Sequence, residues 1–207
     1  FNLIYPKICY ACGEAINGEL QDICVTCRAE LAYLNIREFQ NNPIQQLFWG
    51  RVEFEKATAF TKFEKKGKMQ HLLHALKYKG IKDVGLTLGE LAALEIGTTD
   101  FFNDIDVIIP VPIHAKKQKT RGYNQSHYIA QGIQNITEIA IDFDSIVKEQ
   151  HTSSQTRKRR FERYENVTNT FNLLNKNKLK GKHILLVDDV VTTGSTLEAC
   201  ATQLQKI

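Results

Sequence analysis

Two adjacent carboxylates, Asp188 and Asp189, stand just ahead of four hydroxyl side chains and a glycine: Thr192, Thr193, Gly194, Ser195 and Thr196. Paired acids accept hydrogen bonds from sugar hydroxyls. Small hydroxyls and free amides at the start of a helix seat a phosphate. Gly194 lets the backbone approach closely and take a positive φ. A ligand with both a polyhydroxyl part and a phosphate fits this set, and phosphoribosyl pyrophosphate is such a ligand. A P-loop does not fit, because the run has no GK[ST] and no lysine inside the loop. The plain alternative is an acidic turn followed by a capped helix. A cap needs one hydroxyl, however, and this loop offers four beside two acids.

The elements around these residues must place them. Ile184, Leu185, Leu186 and Val187 predict a strand buried on both faces, the habit of a parallel sheet. The acids then sit at its carboxyl end, in the crevice where open α/β sheets bind ligands. From Leu197 onward the chain reads as helix. A second buried strand, Val107 to Pro112, leads into a basic loop from His114 to Gly122 that carries Lys116, Lys117, Lys119 and Arg121. By the same crevice logic this loop faces the first one. Arg121 offers a planar donor and Gly122 open amides, suited to a pyrophosphate; the alternative is a basic surface loop. Helices are predicted over Gly67 to Lys79, Val84 to Ile96 and Gly122 to Gln134. Strands are predicted at Val52 to Phe63, as an edge, and at Ile141 to Val147. Residues 149–166 form a polar, basic stretch with almost no aliphatic side chains, long enough to be a functional lid. The expected fold class is α/β, a mainly parallel sheet flanked by helices, with a small N-terminal zinc module.

That module rests on Cys9-x2-Cys12 and Cys24-x2-Cys27. Two such pairs supply four thiolates that can converge tetrahedrally on Zn²⁺. Gly13 suits the knuckle turn, and a helix after Cys24 would carry the last two ligands in its first turn. Two disulfides are the alternative, but nothing else points to an oxidising compartment. Four protein ligands close the site, so the metal would be structural, and a segment this short needs it to fold. The fifth cysteine, Cys200, falls on the apolar face of the last helix and reads as a core residue.

At 207 residues the chain can hold one sizeable domain and a small appendage. The expected division is 1–35 for the zinc module, 36–50 for a connector and 51–207 for the main domain. Hydrophobic residues make up 43% and charged ones 24%, the mix of a soluble globular protein. No stretch reaches the length of a membrane span, and no secretory signal is evident, so a cytoplasmic location is expected. The net charge of +4 is mild, but it is unevenly spread. Arg157, Lys158, Arg159, Arg160 and Arg163 face only Glu162 and Glu165 within residues 151–165. Lys62, Lys65, Lys66 and Lys68 make a further cluster. Such patches hold pyrophosphate or single-stranded nucleic acid, or form a solvated face.

The run Ile184 to Thr196 resembles the signature of type I phosphoribosyltransferases along its whole length. The Pro-Val-Pro strand end, Arg121 to Gln125 (RGYNQ) and Leu76 to Gly80 (LKYKG) resemble the ComF family of competence-associated, phosphoribosyltransferase-like proteins. So do Thr152, Gln155, Arg160, Arg163, Asn166-Val167 and Phe171, together with the four cysteines. The chain departs from the family pattern at Lys158, where an apolar residue is usual. It also stops at Ile207, before the family's last strand, so that strand is expected to be missing. The resemblance implies that Asp188 and Asp189 hold the ribose hydroxyls, with Mg²⁺ bridging hydroxyls and pyrophosphate. It implies that Thr192 to Thr196 seat the 5-phosphate and that the His114 to Gly122 loop, Arg121 above all, faces the pyrophosphate. Residues 151–166 would close as a lid, with Gln155, Arg160 and Arg163 toward the leaving group. Lys77 is either a further cation of the site or a solvated helix residue.

Three functions follow. The first is an Mg²⁺-dependent phosphoribosyltransferase with an unassigned acceptor. The second is a component of DNA uptake that binds single-stranded DNA and other competence proteins. The third is a sensor of phosphoribosyl pyrophosphate that transfers nothing. Phe161 and Tyr164 among the lid cations favour strand binding. No general base, acceptor pocket or oligomeric state can be read from the residues.

Overall fold

The computed structural model describes residues 7–16, 22–148 and 170–207. Its central strand is β1, Val107–Pro110, buried throughout. Parallel to it runs the later strand Ile184–Val187, with Val107 opposite Ile184 and Pro110 opposite Val187. On the other side of β1, Ile141 forms a single parallel bridge with Ile108. The strand pair is pinned at both ends. Asp106 accepts from the His183 amide at 2.7 Å, and the Val111 amide donates to Val187 O at 2.8 Å. An antiparallel ribbon of β2, Ile146–Lys148, and β3, Phe171–Leu173, stands beside this sheet. The strand Ile184–Val187 is therefore β4.

The helices follow the sequence pattern in most places. The short α1, Val25–Ala29, and α2, Pro43–Gln46, precede the two long helices α3, Lys68–Tyr78, and α4, Asp83–Ile96. Next come α5, Ala115–Arg121, and α6, Gln125–Thr137. A single-turn α7, Lys176–Leu179, precedes β4, and α8, Ser195–Leu204, follows it. Side chains alternate across β1. Val107, Ile109 and Val111 pack with Ala199, Cys200 and Leu204 of α8, while Ile108 packs with Ala93, Ala130 and Ile133 of α4 and α6. Cys200 is fully buried, as its position on the apolar face of α8 predicts.

Helices α4 and α6 touch backbone to backbone. A Cβ on Gly89 would collide with the Ile129 carbonyl, and one on Gly132 with the Leu86 carbonyl. Glycine at both positions is what allows the crossing. The close crossing fixes the N-terminus of α6 beneath the carboxyl end of β4.

Four expectations need correction. Val52 to Phe63 forms no strand; it makes one bridge, Tyr33 to Thr61, because no neighbouring strand offers a ladder. Ile141 to Val147 is not one strand but a bridge residue and β2, which belong to different sheets. Asp142 breaks it, accepting from the Asp144 and Ser145 amides, from the Ser145 hydroxyl and from Lys178. The helix expected from Gly122 starts at Gln125, capped by Asn124, and the loop before it is itself the helix α5. Among the described residues β4 pairs only with β1, so Ile184 to Leu186 are half-buried rather than buried on both faces.

Candidate functional site

The acids occupy the carboxyl end of β4. Asp188 is held by two hydrogen bonds. It accepts from the Ser126 hydroxyl at 3.2 Å and from the Asp189 amide at 2.8 Å, and Asn124 anchors the same helix start by donating to Val111 O at 2.9 Å. Burial first, and then the charge of Asp189, push the Asp188 carboxyl up to about 6; its hydrogen bonds and Lys77 oppose this. Asp189 has its own cation, Lys77 Nζ, at 2.8 Å. Both partners are largely shielded, with 21% and 15% of their side chains exposed. Lys77 is therefore not a solvated helix residue here. Lys148 lies within electrostatic reach of Asp188. Burial and then Lys117 lower it, and Asp188 raises it.

The hydroxyl loop follows. Gly194 caps α8 at φ +74° and brings no side-chain cap. The first amides of the helix are thus left for a ligand or water. Thr193 Oγ1 and Ser195 Oγ lie 3.0 Å apart. Phe48 from the connector sits under this turn; a Cβ at Gly194 would fall 2.6 Å from its ring. Arg51 reaches the same place. It donates to Thr193 O at 2.7 Å and Ser195 Oγ at 3.3 Å, and it pairs with Glu198 in the first turn of α8. Sequence reasoning missed Arg51, Phe48 and Ser126. Their partners lie 62 to 147 positions away in the chain, and no local pattern marks them. The position of Ser126, one residue after the RGYNQ run, is the only hint.

The basic loop from His114 to Gly122 does not present open amides. His114 caps α5 through Nδ1, and Gly122, at φ +83°, closes it by donating to Gln118 O at 2.7 Å. Arg121 lies over the ring of Tyr78, 5.6 Å from its centroid. Tyr78 is 70% exposed and also stacks on His74. Gln155, Arg160 and Arg163 lie outside the described residues. The chain leaves for that stretch from β2 and returns at β3, where Lys148 is paired with Phe171.

The cysteines form a second centre. Each of Cys9, Cys12, Cys24 and Cys27 offers a sulfur atom within 4.8 Å of the others, and all four are free thiols. Ligands at about 2.3 Å from a tetrahedral metal stand roughly 3.8 Å apart, so the cluster fits a metal ion with little adjustment. The Cys24 amide donates to Cys9 Sγ and the Cys27 amide to Cys24 Sγ, both at 3.4 Å. Burial and then the three other thiols push Cys27 far above the usual thiol range. For Cys9 burial also pushes upward, but the amides of Cys24, Cys12 and Ala11 outweigh it and bring the thiol to about 7. The module shares a core with the main domain: Cys9, Ile23, Cys27 and Leu31 pack with Leu72, Leu73, Leu76 and Val84.

Comparison with known proteins identifies the family. The family described as "Phosphoribosyl transferase domain" matches residues 81–207. Competence protein F of Haemophilus influenzae is 38% identical over 104 residues, 49% of this chain and 45% of that protein. The chain thus spans about half the length of that relative. DNA utilization protein YhgH of Salmonella typhimurium is 30% identical over 200 residues, covering 94% of this chain and 82% of the relative. Competence protein ComFC of Bacillus subtilis is 22% identical over 205 residues, 94% of this chain and 76% of the relative. No solved structure matches. No helix among the described residues is long and apolar enough to cross a membrane.

Proposed function

Since the chain belongs to the phosphoribosyl transferase family, and within it to the ComF family, we propose that it binds phosphoribosyl pyrophosphate with Mg²⁺ at the end of β4. One observation carries this reading: the half-buried Asp188–Asp189 pair stands directly beside a glycine-capped helix whose first amides have no side-chain cap. Asp188 and Asp189 take the two ribose hydroxyls. The Thr192 to Thr196 loop takes the 5-phosphate. Mg²⁺, when bound with the ligand, screens the pyrophosphate charge. Lys77 holds Asp189 until the diol arrives and then faces the same anion. The four cysteines hold a structural Zn²⁺ that orders the N-terminal module of residues 1–35 against α3. Calorimetry with phosphoribosyl pyrophosphate, with and without Mg²⁺, tests this reading. Binding that needs Mg²⁺ and disappears in the Asp188→Ala, Asp189→Ala double variant supports it; unchanged affinity in that variant refutes it. Release of pyrophosphate on adding candidate acceptors would add transfer to binding.

A second reading has its own support. Relatives are named for competence and DNA utilization. Here Tyr78 stands exposed between His74 and Arg121, next to the lysines of α5. An exposed aromatic among cations suits stacking by a single-stranded base. Oligonucleotide binding that weakens steeply with salt and drops in Tyr78→Ala would support a role in handling DNA.

A further inference from the structure

The connector before the matched domain reaches into the phosphate seat. Phe48 packs under Gly194, Arg51 clasps the loop, and Gln205 Nε2 at the far end of α8 donates to Glu53 O at 2.6 Å. Residues 48–53 therefore lie along α8. Arg51 also donates to Leu47 O at 2.9 Å, which fixes its stem.

Its placement is electrostatically unusual. A cation beside the N-terminus of a helix faces the positive end of the helix dipole. It needs an anion there, and Glu198 supplies one. The guanidinium keeps a third of its side chain exposed, and Nη2 already touches Ser195 Oγ, a hydroxyl of the seat. A phosphate monoester dianion is a better partner than a single carboxylate, because it brings more charge and a geometry that matches the guanidinium fork.

We propose that Arg51, at the junction of the connector and the main domain, is a ligand of the sugar phosphate held in reserve by Glu198. The inference rests on the reading of the Thr192 to Thr196 loop as a phosphate seat. It places one ligand ahead of residues 81–207, the stretch that matches the transferase family. On arrival of the phosphate, Arg51 keeps its bond to Thr193 O and exchanges the Glu198 carboxylate for a phosphate oxygen.

Titrating the full chain with ribose 5-phosphate, and separately with Mg²⁺-pyrophosphate, tests this by calorimetry. Arg51→Ala is expected to weaken ribose 5-phosphate about tenfold or more, with Arg51→Lys in between and pyrophosphate unaffected. Glu198→Gln decides between a ligand and a mere brace. Freed from its carboxylate, Arg51 should hold ribose 5-phosphate several-fold tighter. If Glu198→Gln weakens binding as Arg51→Ala does, Arg51 only braces the loop and the proposal is overturned. Wild-type affinity in Arg51→Ala overturns it as well. If the wild-type protein binds neither ribose 5-phosphate nor phosphoribosyl pyrophosphate, the seat itself is refuted and this inference with it.

Discussion

The cysteine cluster and the acid pair each gather groups that are negative when ionised, and both lean on α3. His71 near its start meets Ala11 O between the first two cysteines at 2.8 Å, while Lys77 near its end meets Asp189 at 2.8 Å. They differ in how that charge is answered. Asp189 has a lysine, and Asp188 has a hydroxyl and an amide. The thiols have one another and backbone amides, and the cation within their electrostatic reach, Lys68, is already paired with Glu30. A site that carries its own cation is stable without a ligand and must release that cation to bind one. A cluster of thiols whose neighbouring cation is committed elsewhere gains most from an external ion once the thiols ionise. Under the proposed function the cysteine centre is a folding device and the acid pair a binding device.

The largest test removes the metal. Zinc in small cysteine modules contributes on the order of 10 kcal/mol. Chelation or Cys27→Ser should therefore melt the module cooperatively, followed by thermal scan and metal analysis. Because Leu72, Leu73 and Leu76 share its core, α3 should loosen as well, and ligand affinity should fall with it. Retention of full ligand affinity by the metal-free protein would show that the two centres are independent. Next in size is the double variant Asp188→Ala, Asp189→Ala. It should cost several kcal/mol in ligand binding, on the order of two charge-assisted hydrogen bonds, with metal content unchanged.

A smaller effect sharpens the contrast through pH. Burial raises Asp188 from an ordinary 3.8 to about 6. A raised carboxyl keeps its proton longer in the folded state than in the unfolded one. Folding is therefore favoured below 3.8 and becomes progressively less so between 3.8 and about 6. Asp188→Asn should raise the melting temperature at pH 7.5, by on the order of 1 kcal/mol of stability, and lose that advantage near pH 4. Ligand binding should run the other way, weakening in the wild type as pH falls below about 6. The smallest change is Lys77→Met. It should leave the fold intact, since Asp189 keeps contact with water, while raising the apparent pH of the Asp188 transition.

Much of this contrast is legible in the residues. The four cysteines, the acids at the end of a strand, and the helices α3, α4 and α8 are each marked by spacing that a short window contains. The rest is tertiary. Val52 to Phe63 alternates like a strand, yet alternation supplies no partner. The helix α5 has four cations and no apolar stripe, so its periodicity is silent; His114 and Gly122 make it by capping both ends. Arg51 belongs to the site only because the connector lies along α8, and Lys77 is tied to Asp189 only because α3 packs where it does. Residues that touch across more than a hundred positions leave no trace in a local pattern.

The pairing of β1 with β4 has a consequence for synthesis. His183 meets Asp106 from 77 residues further along the chain. At ~5–20 residues per second, roughly 4–15 s separate the emergence of the two strands from the ribosome. During that interval Val107 to Pro110 can take Ile141 on one side but has no neighbour on the other. An open apolar edge is a template for pairing with the wrong chain. The stretch that closes it also carries the acids and the hydroxyl loop. A nascent chain therefore loses its most aggregation-prone edge at the moment it acquires its binding site.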